Sequence, residues 1–197
     1  MAGFSTESRL NAQEFSQALN AILPQDIRAV ETRQVEASFQ ARHQAELKRY
    51  CYHLWADLKP PLFFRRYLWG VGRSLDRAGL EAGLKILRGR HDFAAFKAAG
   101  SQVKGTVRTL HRAELEVRGR LYTFIFEADG FLRHMVRALV GTLVQLEDPE
   151  EMTEILASQN RARAGRTAPA QGLFLAWVRY PGQGRPAAAP GPFDLLE

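Results

Sequence analysis

The feature that most constrains the fold is a change of hydrophobic period at Gly130, inside residues 124–141. Before Gly130, apolar side chains alternate with a period of two, which is typical of a strand; after it they recur at helical spacing. The pattern therefore predicts a strand that leads through a glycine into a buried helix. At about 100° per residue, Arg133 and Arg137 lie on one border of the helix's apolar stripe, near its positive end. That position favours an anionic ligand such as a phosphate or carboxylate.

Three further helices are predicted from their caps. Asn11 followed by Glu14 forms a capping box for a helix that runs to Pro24. Ser74 is the expected cap of a second helix, and Asp148 of a short third one. The second helix has an inward stripe consisting of Leu80, Gly83, Leu84 and Leu87.

Strand patterns occupy residues 45–56, 107–117, 121–128 and 173–180. Gly119 lies in the short turn that joins the second and third of these strands, so they form a hairpin. Helices that alternate with antiparallel hairpins indicate an α+β fold, a mainly antiparallel sheet with helices on one face. The other face of the sheet would then be free to bind.

The charge of the chain favours an anionic partner, with nucleic acid first. The formal net charge is +6, and 22 of the 27 basic residues are arginine, which suits bidentate phosphate contact. The alternative explanation for the arginine-rich composition is surface solvation or the base composition of the genome.

A single cysteine, Cys51, excludes an intrachain disulfide, and the five histidines have no metal-ligand spacing, so no metal is expected. We find neither a membrane-spanning stretch nor a signal peptide and expect a cytoplasmic protein.

Several segments resemble the TruA-type tRNA pseudouridine synthases, in that family's order. They are LPQDI at 23–27, FQAR at 39–42, KRYCY at 48–52, HDFAAF at 91–96, FIFEADGFLRHMVRALVG at 124–141 and RAGRTAPAQGL at 163–173. The resemblance covers nearly everything from the amino terminus to Pro181. It implies a fold of two RRM-like halves and isomerisation of uridine in the tRNA anticodon stem and loop. It also implies a homodimer that needs neither cofactor nor metal.

The resemblance further implies a division of the chain. Residues 1–38 would be the remnant of an amino-terminally truncated first half, with an open sheet edge near Phe4. Residues 39–181 would be a complete carboxy-terminal half. Residues 182–197, rich in proline, glycine and alanine, would be a flexible tail.

Two residues match the family's active site. Tyr50 matches the tyrosine that stacks on the target base and is a candidate for proton abstraction; the alternative is an aromatic pair with Tyr52. Arg137 matches the arginine that holds the catalytic carboxylate; the alternative is an arginine whose charged end simply reaches solvent. Weaker candidates for RNA contact, with a solvated surface as the alternative, are Arg42, Arg49, Arg133, Arg163 and Arg166.

The family's catalytic aspartate lies in a Gly-Arg-Thr-Asp segment, and these 197 residues contain no such segment. We therefore expect the chain as given to be inactive alone. Three interpretations remain open: a synthase whose sequence starts late, a shortened paralogue that binds structured RNA without catalysis, and a non-enzymatic assembly subunit.

Overall fold

The computed structural model describes residues 1–100, 103 and 105–184, and the division at Gln44 separates two compact units. Most of the expected flexible tail at 182–197 lies outside the described residues. The helices and strands, in chain order, are α1 Ala12–Ile22, β1 Leu47–Trp55, β2 Trp69–Gly70, α2 Arg77–Leu87, β3 Gly89–Asp92, β4 Val107–Arg118, β5 Leu121–Ala128, α3 Met135–Gln145, α4 Glu151–Ser158 and β6 Leu173–Arg179. No helix among the described residues is long and apolar enough to cross a bilayer.

The first unit, residues 1–44, contains α1 and extended chain. The predicted capping box is confirmed, because the Asn11 side chain accepts from the Glu14 N–H and the Glu14 carboxylate accepts from the Asn11 N–H. All 44 residues are described and none is in a strand. The sheet edge expected near Phe4 is therefore wrong: the Phe4 ring packs on the Phe15 ring, with centroids 5.4 Å apart.

The second unit is a six-stranded sheet with the strand order β2-β1-β5-β4-β3, and β6 pairs with the amino-terminal part of β1. All pairs are antiparallel except β1–β2, which confirms the mainly antiparallel sheet. The β4–β5 hairpin turns at Gly119, whose φ of +56° suits a residue without a Cβ. Two strands, β2 and β3, escaped prediction because a strand of two to four residues carries too little periodicity to recognise.

Helices α2, α3 and α4 share one hydrophobic core with one face of the sheet. The buried stripe of α2 is the predicted one, whereas nearly every residue of α3 is buried, as expected for a helix at the centre of the core. Aromatic side chains of β1 and β5, namely Tyr52, Phe124 and Phe126, fill the space beneath α3 without exposure to solvent. The predicted layer of helices on one face is confirmed.

Three helix starts differ from the predictions. Glu150, not Asp148, directly precedes α4, and the Asp148 carboxylate accepts from the Glu150 N–H. Asp76, not Ser74, caps α2, because its carboxylate accepts from the Ala78 and Gly79 N–H groups. The helix after Gly130 begins only at Met135, so Arg133 lies in the preceding turn and not on the helix with Arg137. In the sequence, Leu132 extends the helical period of apolar residues, but in the structure it lies in that turn and is buried there. The pattern therefore predicted a helix that begins too early.

Candidate active site

Tyr50 and Tyr52 lie two residues apart on β1, so both side chains point to the face covered by α3. Tyr52 is fully buried, and its hydroxyl donates to the Pro169 carbonyl at 2.8 Å. The Tyr50 ring is only partly buried and packs edge-on against Phe131, with centroids 5.0 Å apart. Tyr52 is therefore a structural tyrosine, while Tyr50 retains exposed ring surface.

The ionisation of the two tyrosines follows their burial. Burial raises the pKa of Tyr50 above its ordinary value. It raises the pKa of Tyr52 further, although the nearby Arg137 charge opposes that shift. With a raised pKa, the Tyr50 phenol stays protonated near neutral pH, as an ordinary tyrosine does.

The loop at residues 161–170 is fixed against α3. Arg161 acts as its internal brace, donating to the carbonyls of Ala164 and Gly165 and to the Thr167 hydroxyl. The Gly165 N–H donates to the Thr142 hydroxyl of α3 at 2.9 Å. These bonds tie the loop to itself and to α3, so that it forms a rim beside Arg137.

Arg137 joins α3 to this loop. Its backbone carbonyl accepts from the Ala168 N–H at 3.0 Å, and its Nε donates to the Ala168 carbonyl at 2.7 Å. Within the described part of the chain, no carboxylate lies within ion-pair distance of Arg137, and no hydrogen bond uses its terminal nitrogens. The half-buried guanidinium therefore presents an unoccupied pair of donors for an anionic group.

Two more basic groups approach the start of α3. His134, the residue before the helix, has a φ of 63°, a left-handed conformation that is costly for a residue other than glycine. Desolvation and the charges of Arg137 and Arg133 lower the pKa of His134. The Arg133 side chain is exposed, and its carbonyl accepts from the Ala98 N–H at 3.0 Å. The cationic neighbourhood thus exists, although a turn rather than the helix supplies Arg133.

The other predicted RNA contacts are distributed unevenly. Arg166 lies on the rim loop, with its guanidinium carbon 5.4 Å from the centroid of the Trp69 ring. Arg163 is exposed and forms an ion pair with Glu154 at 2.9 Å. Arg42 is exposed in the first unit.

Arg49 is on the opposite face of the sheet from Tyr50 and is already paired. Its Nε donates to Glu127 at 2.7 Å, and its guanidinium lies over the Trp177 ring at 5.1 Å. With 13% of the Arg49 side chain and 5% of the Glu127 side chain exposed, this pair is largely buried. A phosphate contact by Arg49 would compete with that ion pair.

Sequence patterns missed Trp69, His134 and Arg161 as parts of this region. Trp69 links the rim to the core, because its ring also meets Tyr52 edge-on with centroids 6.3 Å apart. The signals were weak: Trp69 lies in a two-residue strand, and a left-handed histidine has no sequence signature. Arg161 belongs to an arginine-rich loop whose internal hydrogen bonds only the folded structure reveals.

Gly141→Ala is expected to separate the rim loop from α3. A Cβ at this position would collide with the Arg166 carbonyl and lie 3.0 Å from the Ala168 backbone nitrogen. Alanine gains about 1 kcal/mol of helix propensity, but the backbone displacement costs about 1–3 kcal/mol. We expect a net loss of unfolding free energy in urea and faster tryptic cleavage within the loop. Gly3→Ala, where a Cβ meets nothing within 4 Å, is the control; equal behaviour of the two variants would contradict close loop packing.

Comparison with known proteins identifies the chain's relatives. A family model described as tRNA pseudouridine synthase matches residues 84–181. A tRNA pseudouridine synthase A of Moorella thermoacetica is 41% identical over 181 residues, covering 90% of this chain and 74% of that protein. The synthase A of Acetivibrio thermocellus is 39% identical, with 91% and 75% covered. That of Geobacillus kaustophilus is 36% identical, with 90% and 70% covered.

Proposed function

Since the chain belongs to the tRNA pseudouridine synthase family of isomerases, we propose that it serves the conversion of uridine to pseudouridine in the anticodon stem and loop of tRNA. The observation that carries the proposal is the open guanidinium of Arg137 on the same sheet face as the partly exposed ring of Tyr50. A carboxylate and a uracil ring are the two groups that such a pair would hold.

The reaction breaks one bond and forms another within a single nucleotide. The glycosidic C1′–N1 bond breaks, the uracil rotates, and a C1′–C5 bond forms; the hydrogen leaves C5 and one returns to nitrogen. Because uridine and pseudouridine are isomers, the reaction needs no net oxidant or reductant, and the family resemblance leads us to expect neither cofactor nor metal. The target nucleotide must leave its stack to be reached. In this proposal Tyr50 stacks on the flipped base, and Arg137 keeps the catalytic carboxylate ionised and oriented.

The cations around the site would hold the RNA backbone. Arg133 and Arg166 are exposed beside the start of α3 and on the rim loop, so they are the best placed for phosphates. Arg163 would have to exchange Glu154 for a phosphate, a modest cost for an exposed pair. We keep Arg42 and Arg49 in the proposal as weaker contacts, Arg49 because its ion pair must open first.

We assign residues 1–38 to the end of the amino-terminal half and 39–181 to the carboxy-terminal half, and we expect a cytoplasmic homodimer. A second function is favoured by one observation: no carboxylate of the described residues approaches Arg137. Acting alone, the chain would then bind structured RNA without isomerising it, with a phosphate on Arg137.

The test is to map pseudouridine in tRNA. The chain joined to an amino-terminal segment carrying the Gly-Arg-Thr-Asp motif is expected to modify uridines of the anticodon stem and loop. Chemical derivatisation that marks pseudouridine, read out by reverse transcription, locates the product. Modification elsewhere in the tRNA would overturn the substrate assignment, and stoichiometric RNA binding without product would favour the binding function.

A further inference from the structure

Most of the connection between β1 and β2, residues 57–67, presents an exposed surface that the proposed active site does not use. Its 3-10 turn, Leu62–Phe64, places Phe63 in solvent with 87% of its surface exposed. Three neighbours are also exposed: Leu58 at 70%, Leu62 at 66% and Tyr67 at 44%. So many exposed apolar side chains on one short segment mark an interaction surface. We call this segment the Phe63 patch.

The Phe63 patch is basic as well as apolar. Its cations Lys59, Arg65 and Arg66 are all exposed, and none of them forms an ion pair with any residue that the structure describes. The acid of the segment, Asp57, is bound by Arg120 at 2.8 Å. The patch therefore carries an uncompensated positive charge around an exposed aromatic ring.

The Phe63 patch meets the candidate active site at the β2 edge of the sheet, although its last residue packs on the opposite face. Tyr67 contacts Phe174 with ring centroids 6.1 Å apart, and Phe174, which is paired with Cys51, faces away from Tyr50. The next residue, Leu68, is buried, and its carbonyl accepts from the Gln171 side chain at 2.9 Å, beside the end of the rim loop. Trp69, which follows, underlies the Arg166 guanidinium. A polyanion held at Arg166 would thus meet the patch at the same edge of the sheet.

Charge decides between the candidate occupants. A second copy of the chain, docked through the same surface on both partners, would bring two sets of unpaired cations together, and like charges oppose that contact. A single-stranded nucleic acid supplies phosphates for the cations and a base face for the aromatic ring. We propose that the Phe63 patch binds unpaired nucleotides of the RNA substrate, with Phe63 stacking on a base and Arg66 contacting a phosphate. This inference rests on the proposed function, since it names a further contact with the same substrate.

The experiment compares variants of the full chain by fluorescence anisotropy, with an anticodon stem-loop RNA and a fully paired duplex as probes. Phe63→Ala is expected to weaken stem-loop binding about tenfold, since one base–aromatic stack has that order of effect. Duplex binding and the salt slope should not change. Phe63→Trp should retain affinity because it keeps the aromatic face. Arg66→Ala should lower the log–log salt slope by about one. The matched control is Arg90→Ala, which removes an exposed charge from β3 at the other edge of the sheet.

Several outcomes would overturn the proposal. Wild-type affinity of Phe63→Ala for the stem-loop would do so, as would equal losses in Phe63→Ala and Phe63→Trp, or a loss equal for loop and duplex. If Phe63→Ala changes the molecular mass in sedimentation, and RNA affinity falls only in parallel with that change, the patch serves self-association. If the unaltered chain binds no stem-loop RNA, the proposed function itself fails; salt-dependent binding by the unaltered chain with an inert Phe63 rejects only this inference. Thermal unfolding should be unchanged, because the Phe63 side chain packs on little.

Discussion

The 197-residue chain assayed alone is expected to form no detectable pseudouridine in tRNA, whereas joining it to a segment with the Gly-Arg-Thr-Asp motif is expected to give full turnover. The reason is geometric: Arg137 has an open guanidinium and no carboxylate within ion-pair distance among residues 1–100, 103 and 105–184. Changing the motif's aspartate to alanine should remove all product. A displaced carboxylate elsewhere cannot substitute, since an error of about 1 Å can cost on the order of a hundredfold in rate.

Arg137 variants of the chain joined to the Gly-Arg-Thr-Asp segment test whether Arg137 pairs with the aspartate of that motif. Arg137→Ala should lower kcat on the order of a hundredfold, because hydrogen bonds to a charged group contribute about 1.5–3 kcal/mol each. Arg137→Lys should restore only part of this, since an ammonium cannot make the bidentate contact. Arg90→Ala is the control and should have wild-type turnover. Product formed by the 197-residue chain alone would show that another carboxylate acts.

Asp129 would be the first residue to mutate in that case, because it directly precedes Gly130. In the structure Asp129 has a different role, since its carboxylate accepts from the Thr109 N–H at 3.1 Å and its own N–H donates to the Thr109 carbonyl. It therefore closes the end of the β4–β5 ladder. We expect Asp129→Asn to leave the joined protein active.

The sequence predicted most of the elements because their signals are local. The capping box of α1, the buried stripe of α2 and the alternation of β4 and β5 each depend on residues within one element. The shared face of Tyr50 and Tyr52 follows from strand periodicity alone. The helical layer over the sheet could be inferred once helices alternated with antiparallel strands.

The details of the site could not be predicted, because they depend on contacts between distant segments. The start of α3 depends on the left-handed backbone of His134, which no residue pattern encodes. The placement of the rim loop depends on Gly141 and Gly165, two glycines that allow the loop and the helix backbones to approach closely. Arg49 looked like a free cation because its partner Glu127 is 78 residues away, and only the β1–β5 register places them opposite each other.

Glu127→Ala is expected to be the most destabilising substitution considered, because it leaves the Arg49 charge buried without its partner. Arg49 lies between Glu127 on β5 and Trp177 on β6, and Arg112 is 3.6 Å from the same carboxylate. Removing one partner of a buried ion pair costs about 3–5 kcal/mol, a large share of the roughly 5–15 kcal/mol that stabilises a domain. Urea unfolding measures this loss.

Glu81→Ala, which breaks the exposed pair with Arg77 on α2, is the control and should cost only about 0.3–0.5 kcal/mol. The double variant Arg49→Met with Glu127→Leu should recover most of the stability, since an apolar pair carries no desolvation penalty. If Glu127→Ala lowers the free energy of unfolding no more than Glu81→Ala does, the Arg49–Glu127 pair does not hold β1, β5 and β6 together beside Tyr50.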